Sequence, residues 1–176
     1  MYIQVKWGAL KVQHHPSKLD LSGTGYCASF NFRRTARAVT RVYDLALQDS
    51  GIRSTQFAIL VGIAKKQPLS IGALADLLII DRTTLTRSLG LLEKEGLIAI
   101  SERSTMRQRF LTITPAGERT LAQSLPAWRK AHEKFVAAVG RDYWKELRNE
   151  LERLARVVSR GQEPQKNASD LAPADT

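Results

Sequence analysis

Hydrophobic residues recur at helical spacing along most of this chain of 176 residues. Between Ser54 and Pro68, apolar residues stand three and four positions apart, as in a helix with one buried face. The same spacing predicts further helices at residues 27–49, 71–78, 82–95, 115–139 and 141–158. The pattern therefore predicts a mainly α-helical fold.

Short polar residues mark the starts of four of these helices. Ser54, Ser70, Asp81 and Thr114 each stand immediately before a helical pattern, where a side-chain oxygen can cap the helix N-terminus. Gly96 follows the helix that begins after Asp81, as expected of a C-terminal glycine in the left-handed conformation. These residues define the helix boundaries more closely than the hydrophobic pattern does.

Only three residues, Ile79–Asp81, separate the predicted helices 71–78 and 82–95. Two short helices joined by such a link have the outline of a helix-turn-helix. The period then changes, because residues 97–102 and 108–114 are β-branched segments on either side of a polar tip. A β-hairpin directly after the helix-turn-helix is therefore predicted.

The helix that begins at Arg82 carries unusual polar chemistry for an exposed helix. Leu85, Leu89 and Leu92 share one side, and Thr84 lies at its margin. The other side carries Arg82, Thr83, Thr86, Arg87 and Gly90. Arginine and threonine near a helix N-terminus suit a helix that inserts into the DNA major groove, where arginine reads guanine. The alternative is a solvated helix with incidental arginines.

The charge of the chain supports a polyanionic partner. Lys and Arg outnumber Asp and Glu by 27 to 17, for a net charge of +10. A balance this basic favours nucleic acid or an anionic membrane, and no apolar run is long enough to span a membrane. The predicted hairpin tip adds Arg103, Arg107 and Arg109, which could enter a narrow minor groove or simply face water.

Enzyme chemistry and cofactor binding find little support in the sequence. We find no glycine-rich phosphate loop and no cysteine or histidine pair at metal-binding spacing. His132 is the only histidine outside the first 25 residues, and it lies in an apolar stripe, as a core or interface histidine does. Cys27 is the single cysteine, which excludes an internal disulfide and fits a reducing cytoplasm.

The terminal helices carry more apolar surface than the middle of the chain can cover. Leu121, Leu125 and Trp128 recur at helical spacing before Gly140, and a second stripe runs from Trp144 to Val158. One solution is a second copy of the chain, which would make a symmetric homodimer. The alternative is that all of these apolar stripes are buried against one another within one protomer.

Taken together, these motifs resemble those of the MarR family of bacterial winged-helix regulators. The resemblance covers residues 26–158 in order and rests on FNFRRTARAVTRVYD, STQFAIL, PLSIGALADLL, DRTTLTRSLGLLEKEGLI and LTITPAGE. It implies a cytoplasmic homodimer in which two winged helix-turn-helix lobes bind double-stranded DNA at a palindromic operator. It also implies repression of transcription and, in many members, release of DNA by a small aromatic or phenolic effector.

The resemblance divides the chain into regions. Residues 26–52 and 115–160 correspond to a helical dimerisation region, and residues 53–114 to the winged helix-turn-helix that binds DNA. Residues 1–25 would form a flexible extension and residues 161–176 a disordered tail. The composition of both ends, with glycine, proline and polar residues, agrees with this division.

The family's DNA contacts fall on specific residues here. The recognition helix would use Arg82, Thr83, Thr84, Thr86 and Arg87, with Ser70 and Asp81 as helix caps near DNA. The wing arginine that enters the minor groove matches Arg107, with Arg103 also on the wing. Thr105 replaces the aspartate that usually orients that arginine, which predicts a weaker but retained wing contact.

Two other functional hypotheses remain open at this level. The chain could coat nucleic acid without sequence preference, or it could sense peroxide through Cys27. In the family's peroxide sensors the reactive cysteine matches Ser29 here, two residues from Cys27 and therefore on the opposite face of a helix. A packed or surface cysteine without redox function is the favoured interpretation of Cys27.

Overall fold

The computed structural model describes residues 19–103 and 108–160. Residue contacts group the chain into two units, Met1–Arg37 and Ala38–Thr176. In chain order the elements are α1 (Ala28–Leu47), α2 (Ser54–Lys66), β1 (Leu69–Ser70), α3 (Ile71–Leu78), α4 (Arg82–Lys94), β2 (Ile98–Arg103), β3 (Gln108–Ile113), α5 (Pro115–Val139) and α6 (Arg141–Arg160). The mainly helical fold with a small β-hairpin is confirmed.

In the described part of the first unit, a short 3₁₀ turn, Thr24–Tyr26, precedes α1. The Asn31 side chain bonds the carbonyls of Gly25 and Cys27, each at 3.0 Å. These two bonds hold the turn against the start of the helix. Most of the predicted N-terminal extension, residues 1–18, and the predicted tail, residues 161–176, lie outside the described residues.

The second unit encloses the hydrophobic core. Helices α2 and α3 and the hairpin each contribute to it, as the fully buried residues Leu60, Leu74 and Leu111 show. Leu121, Leu125 and Trp128 of α5 pack against this core while remaining partly exposed. The core therefore lies under the helix-turn-helix, which places α4 on a rigid base.

The helix-turn-helix has the predicted boundaries and caps. Ser70 Oγ accepts the Ala73 amide at 3.1 Å, and Asp81 Oδ1 accepts the Thr84 amide at 2.9 Å. The link contains Ile79 in the left-handed region, at φ 51° and ψ 49°. This conformation is costly for a β-branched residue. The link between the two helices therefore carries local backbone strain at Ile79.

The sheet contains one strand that the sequence did not predict. In the described residues the strand order is β1-β3-β2, and both pairings are antiparallel. Two-residue β1 pairs Leu69 with Leu111 and Ser70 with Phe110. A strand this short has no recognisable alternation, so periodicity alone could not reveal it. Through β1, the wing is joined directly to the start of α3.

The prediction that Ser54 caps α2 is wrong, because Ser54 is the first residue of that helix and Arg53 precedes it as N-cap. Ser54 instead donates from its amide and its hydroxyl to Asp44 Oδ1, at 2.8 Å and 2.6 Å. These hydrogen bonds hold the pKa of the Asp44 carboxyl below its usual range. A carboxylate of α1 therefore satisfies the N-terminus of α2 and fixes the junction of the two helices.

The end of α4 and the start of α5 are tied together by Thr114. Its hydroxyl donates to the Gly96 carbonyl at 2.6 Å and accepts the Gly117 amide at 3.0 Å. Gly96 has φ 71°, and Leu97 bonds back to Leu92 at 2.9 Å, which completes the predicted C-terminal glycine motif. A Cβ at Gly117 would clash with the Leu97 carbonyl oxygen, so only glycine permits this approach.

Candidate nucleic-acid interface

Helix α4 separates its residues into a buried face and an open face. Leu85, Leu89 and Leu92 are 0%, 1% and 0% exposed, so the apolar stripe is completely buried in the core. The predicted DNA-contacting residues are all exposed: Arg82, Thr83, Thr84, Thr86 and Arg87. The arrangement presents cations and hydroxyl groups to solvent from the N-terminal half of a rigidly held helix.

Asp81 caps this helix as a carboxylate. Hydrogen bonding from the Thr84 amide is the main reason that the pKa of the Asp81 carboxyl lies below its usual value, and the charge of Arg87 adds to it. The carboxyl is therefore ionised throughout the neutral range. It shapes the N-terminus of α4 while leaving the Arg82 and Arg87 guanidinium groups exposed.

The two arginines of α4 have different surroundings. A Cβ added at Gly72, in the first turn of α3, would lie 3.4 Å from an Nη atom of Arg82. The Arg82 guanidinium therefore lies over the start of α3, close to the Ser70 cap. Arg87 stands more than one turn further along α4, on its exposed side. The sequence pattern did not distinguish these two positions.

Two hydroxyl groups on α4 are engaged with the helix backbone. Thr86 Oγ1 donates to the Arg82 carbonyl at 2.7 Å, and Ser88 Oγ donates to the Thr84 carbonyl at 3.3 Å. Because the Thr86 hydroxyl proton is committed in this way, its methyl group and its oxygen lone pairs remain for other contacts. This limits what Thr86 can recognise, which the sequence alone did not indicate.

The wing is only partly described. Strands β2 and β3 pair Glu102 with Arg109 and Arg103 with Gln108, and Arg109 is exposed. Arg103 lies at the end of β2, as predicted, next to the hairpin tip. Arg107 and Thr105 fall in residues 104–107, outside the described residues, so the predicted minor-groove contact remains a prediction.

A cavity of about 450 Å³ lies among α1, α2 and α5. Val39, Tyr43, Phe57, Val61 and Trp128 contribute most of its apolar wall. The described residues that line it are all uncharged at neutral pH. Its size and its apolar lining are those of a site for a small organic molecule.

An aromatic cluster continues from this cavity along α5. Trp128 stacks on Phe57 with ring centroids 5.7 Å apart and on His132 at 5.1 Å. The Tyr43 hydroxyl lies 2.9 Å from His132 Nδ1. Burial raises the pKa of the Tyr43 phenol, which therefore stays protonated at neutral pH. The expectation that His132 is a core or interface histidine agrees with this half-buried position.

Several large apolar side chains of the second unit are exposed. On α6 they are Tyr143, Leu151, Leu154, Val157 and Val158, and on α1 they are Val42 and Leu45. The apolar stripe predicted for the last helix thus exists, but the described chain does not cover most of it. Exposed apolar surface of this kind commonly marks an interface.

The remaining candidate features of the sequence concern the cysteine, metal binding and membrane-spanning helices. Cys27 is an exposed free thiol at the start of α1. Among the described residues, no three His, Cys, Asp or Glu side chains converge in a way that would hold a metal ion. None of the helices in residues 19–103 and 108–160 combines the length and apolarity needed to cross a membrane.

Comparison with known proteins gives one family match and many structural matches. A sequence model described as the MarR family matches residues 52–105, which include α2, α3 and α4. The transcriptional regulator MosR of M. tuberculosis, solved in complex with DNA, is 30% identical with a TM-score of 0.71. That match covers 78% of this chain and 99% of MosR. No protein of curated function matches the chain significantly.

Two further structures share the fold at lower identity. CouR of Rhodococcus jostii RHA1, bound to p-coumaroyl-CoA, has a TM-score of 0.65 at 18% identity over 76% of this chain and 95% of its own. BpsR of Bordetella bronchiseptica, whose DNA binding is regulated by 6-hydroxynicotinic acid, has a TM-score of 0.65 at 18% identity, over 74% and 94%. At this identity the two likenesses establish the winged-helix fold alone.

Proposed function

The chain belongs to the MarR family of transcriptional regulators, and we propose that it is a repressor that binds a palindromic operator as a homodimer. The observation that carries this proposal is the exposed set of cations and hydroxyl groups on α4, held by a fully buried leucine stripe. MosR, the 30% identical regulator, is solved in complex with DNA. The function is exercised in the cytoplasm.

The two arginines of α4 divide the work of recognition. The Arg82 side chain reaches back over Gly72 at the N-terminus of α3, where a DNA phosphate is well accommodated. Arg87 extends from the exposed face of α4 and reads guanine N7 and O6 in the major groove. Thr83, Thr84 and Thr86 contact neighbouring bases, Thr86 through its methyl group because its hydroxyl proton is bonded to Arg82.

The wing adds affinity at the edges of the site. Arg107 enters the minor groove, and Arg103 and Arg109 supply further positive charge close to it. Thr105 stands where the family has an orienting aspartate, so the wing contact is weaker than usual. Ser70 and Asp81 act indirectly, since they fix the helix N-termini that approach the DNA backbone.

The homodimer is formed through the exposed apolar residues of α6 and the end of α1. An apolar stripe that the protomer leaves in water is covered when a second copy packs against it. A two-fold axis then presents two α4 helices to successive major grooves, with half-site centres about 10 bp apart. The palindromic operator follows from this symmetry.

A small effector occupies the cavity among α1, α2 and α5 and weakens DNA binding. Two proteins of the same fold interact with small molecules: CouR is bound to p-coumaroyl-CoA, and 6-hydroxynicotinic acid regulates DNA binding by BpsR. The described lining here is uncharged and rich in aromatic rings, which favours a neutral phenol over a carboxylate. The hydroxyl groups of Tyr43 and Ser54 are already bonded to His132 and Asp44, and their oxygens can accept a further hydrogen bond from the ligand.

Selection of DNA from a random pool by the purified protein tests this function. We expect an enriched inverted repeat whose half-sites lie about one helical turn apart. The selected site is then compared with scrambled DNA at moderate salt, since binding by charge alone ignores sequence and falls steeply with salt. Equal affinity for both DNAs would contradict the proposal and favour a protein that coats nucleic acid.

A further inference from the structure

Gly90 is an unexpected residue on the open face of α4. It lies inside the helix and is exposed to solvent. Glycine at such a position lowers the folding equilibrium constant about fivefold relative to alanine, because it loses more backbone freedom on folding. The glycine therefore has a cost in stability that some other property must offset.

Packing within the protomer does not account for Gly90. A Cβ added there would meet no atom within 4 Å, and the backbone is ordinary α-helix. The other glycines inside the α-helices of residues 19–103 and 108–160 each have a close neighbour: Leu74 at Gly62, Arg82 at Gly72 and the Leu97 carbonyl at Gly117. The space above Gly90 is instead open to a molecule outside the protomer.

The surroundings of Gly90 combine positive charge with an apolar side chain. At about 100° per residue, Arg87 and Lys94 lie within about 60° of Gly90 around the helix, and both are exposed. Leu91 is 48% exposed and lies about 40° from Arg87. We call Arg87, Gly90 and Leu91 the α4 notch. Cations beside a small apolar gap suit a polyanion that also carries apolar groups.

The apolar group that the DNA major groove exposes is the 5-methyl group of thymine. We propose that the α4 notch recognises this methyl group on a thymine in a base pair adjacent to the guanine read by Arg87. The missing Cβ of Gly90 provides the space, and Leu91 provides the apolar contact. The inference rests on the proposed function, because it requires α4 to lie in the major groove.

A second copy of the chain is a poorer occupant of the notch. The proposed dimer interface lies on α6 and the end of α1. A two-fold contact between two α4 helices would also bring Arg87 and Lys94 of both copies together, and like charges at close range disfavour association. DNA phosphates, by contrast, are attracted by the same two cations.

Replacement of thymine by deoxyuridine in the selected operator tests the notch, because it removes only the methyl group. Each thymine is changed in turn, at equivalent positions of both half-sites, and affinity is measured by fluorescence anisotropy. At one position we expect affinity to fall about tenfold, because one apolar contact is lost in each half-site. The same change at thymines outside the notch should have little effect.

Two variants connect that thymine to the notch. Leu91→Ala should reduce the preference for thymine over deoxyuridine from about tenfold to about threefold or less. Gly90→Ala should raise the folding equilibrium constant of the free protein about fivefold in urea denaturation, yet weaken binding to the thymine operator about tenfold. The loss should be smaller on the deoxyuridine operator, because the new methyl group then occupies the space of the missing one.

Leu77→Ala is the matched control, since Leu77 is 45% exposed on α3 and lies outside the notch. It should leave the preference for thymine unchanged. The inference is overturned if no deoxyuridine replacement lowers affinity, if Leu91→Ala keeps the full preference, or if Gly90→Ala binds the operator as tightly as the wild type. In these three cases a specific operator is still bound and the proposed function stands. Equal affinity for operator and scrambled DNA would overturn both.

Discussion

Helices α4 and α6 are both amphipathic, but only α4 buries its apolar stripe within the chain. Leu85, Leu89 and Leu92 of α4 are almost completely buried. On α6, by contrast, Leu151 and Leu154 are each 36% exposed and Val158 is 60% exposed. The stripes look alike in the sequence because periodicity reports that a face is apolar and does not report what covers it.

The difference assigns separate physical tasks to the two helices. Because α4 has its apolar face in the core, its polar face is held rigidly and can serve for recognition. Helix α6 leaves its stripe exposed. In the proposed homodimer, burial of that stripe would depend on a second molecule and therefore on protein concentration. Variants in the α4 stripe should therefore affect the folding equilibrium, and variants in the α6 stripe should affect the proposed dimerisation equilibrium.

The largest effect is expected at Leu89, which is buried at the centre of the α4 stripe. Leu89→Ala removes buried methyl groups and leaves a cavity, so the free energy of unfolding should fall by about 3–5 kcal/mol. Urea denaturation measures this change. A loss below about 1 kcal/mol would mean that α4 is not anchored as described.

Substitution on the α6 stripe should act on association. Leu154→Asp places a charge in the proposed dimer interface and should raise the dimer dissociation constant about a hundredfold, or about 2–3 kcal/mol. Sedimentation equilibrium measures it, with Asn149→Asp as a control that adds the same charge off the stripe. If Leu154→Asp leaves the oligomeric state unchanged, α6 does not form the dimer interface.

Variants on the open face of α4 should affect DNA and leave folding unchanged. Arg87→Ala should cost about 2 kcal/mol on operator DNA and much less on random DNA, because it removes a base contact. Arg82→Ala should weaken binding to both DNAs alike, because a phosphate contact carries no sequence information. Fluorescence anisotropy with both DNAs distinguishes the two. The same profile for both variants would contradict the division of roles.

The smallest effect is expected at Asp44, which caps α2 from α1. Asp44→Ala should lower the free energy of unfolding by about 1 kcal/mol, since Ser54 loses a charged acceptor, and should leave dimerisation unaffected. The pKa of Asp44 is lower when folded, so its contribution is present above the unfolded value of about 3.9. It is lost as pH falls through the lower folded pKa.

Denaturation of the wild type and of Asp44→Ala across pH 3–7 checks this prediction. The difference in stability should be constant between pH 5 and 7 and should shrink below about pH 4. A difference that grows on acidification would contradict the carboxylate cap.

Local sequence signals located most of the fold. Ser70, Asp81 and Thr114 cap their helices as predicted because a cap joins groups only three residues apart. The cap of α2 was assigned wrongly to Ser54. The carboxylate that accepts hydrogen bonds at this helix N-terminus belongs to Asp44, which is ten residues away in the sequence. Strand β1 was missed for a related reason, since its two residues pair with β3 about 40 residues later.

For the candidate site, the sequence identified which residues are exposed on α4 but not how they differ. The proximity of Arg82 to Gly72 depends on the angle between α3 and α4. The bond from Thr86 to the Arg82 carbonyl depends on a rotamer. Neither follows from spacing along the chain, so the separate roles proposed for Arg82 and Arg87 required coordinates.

By itself, the sequence determined the helices, three of the four predicted caps, the exposed basic face of α4 and the family, because each depends on neighbours in the chain or on the order of its motifs. Only the tertiary structure decided which apolar stripe is buried and where cavities form. Burial depends on packing between distant segments, as the stacking of Trp128 on Phe57 shows. The same packing forms the cavity with an uncharged lining among α1, α2 and α5.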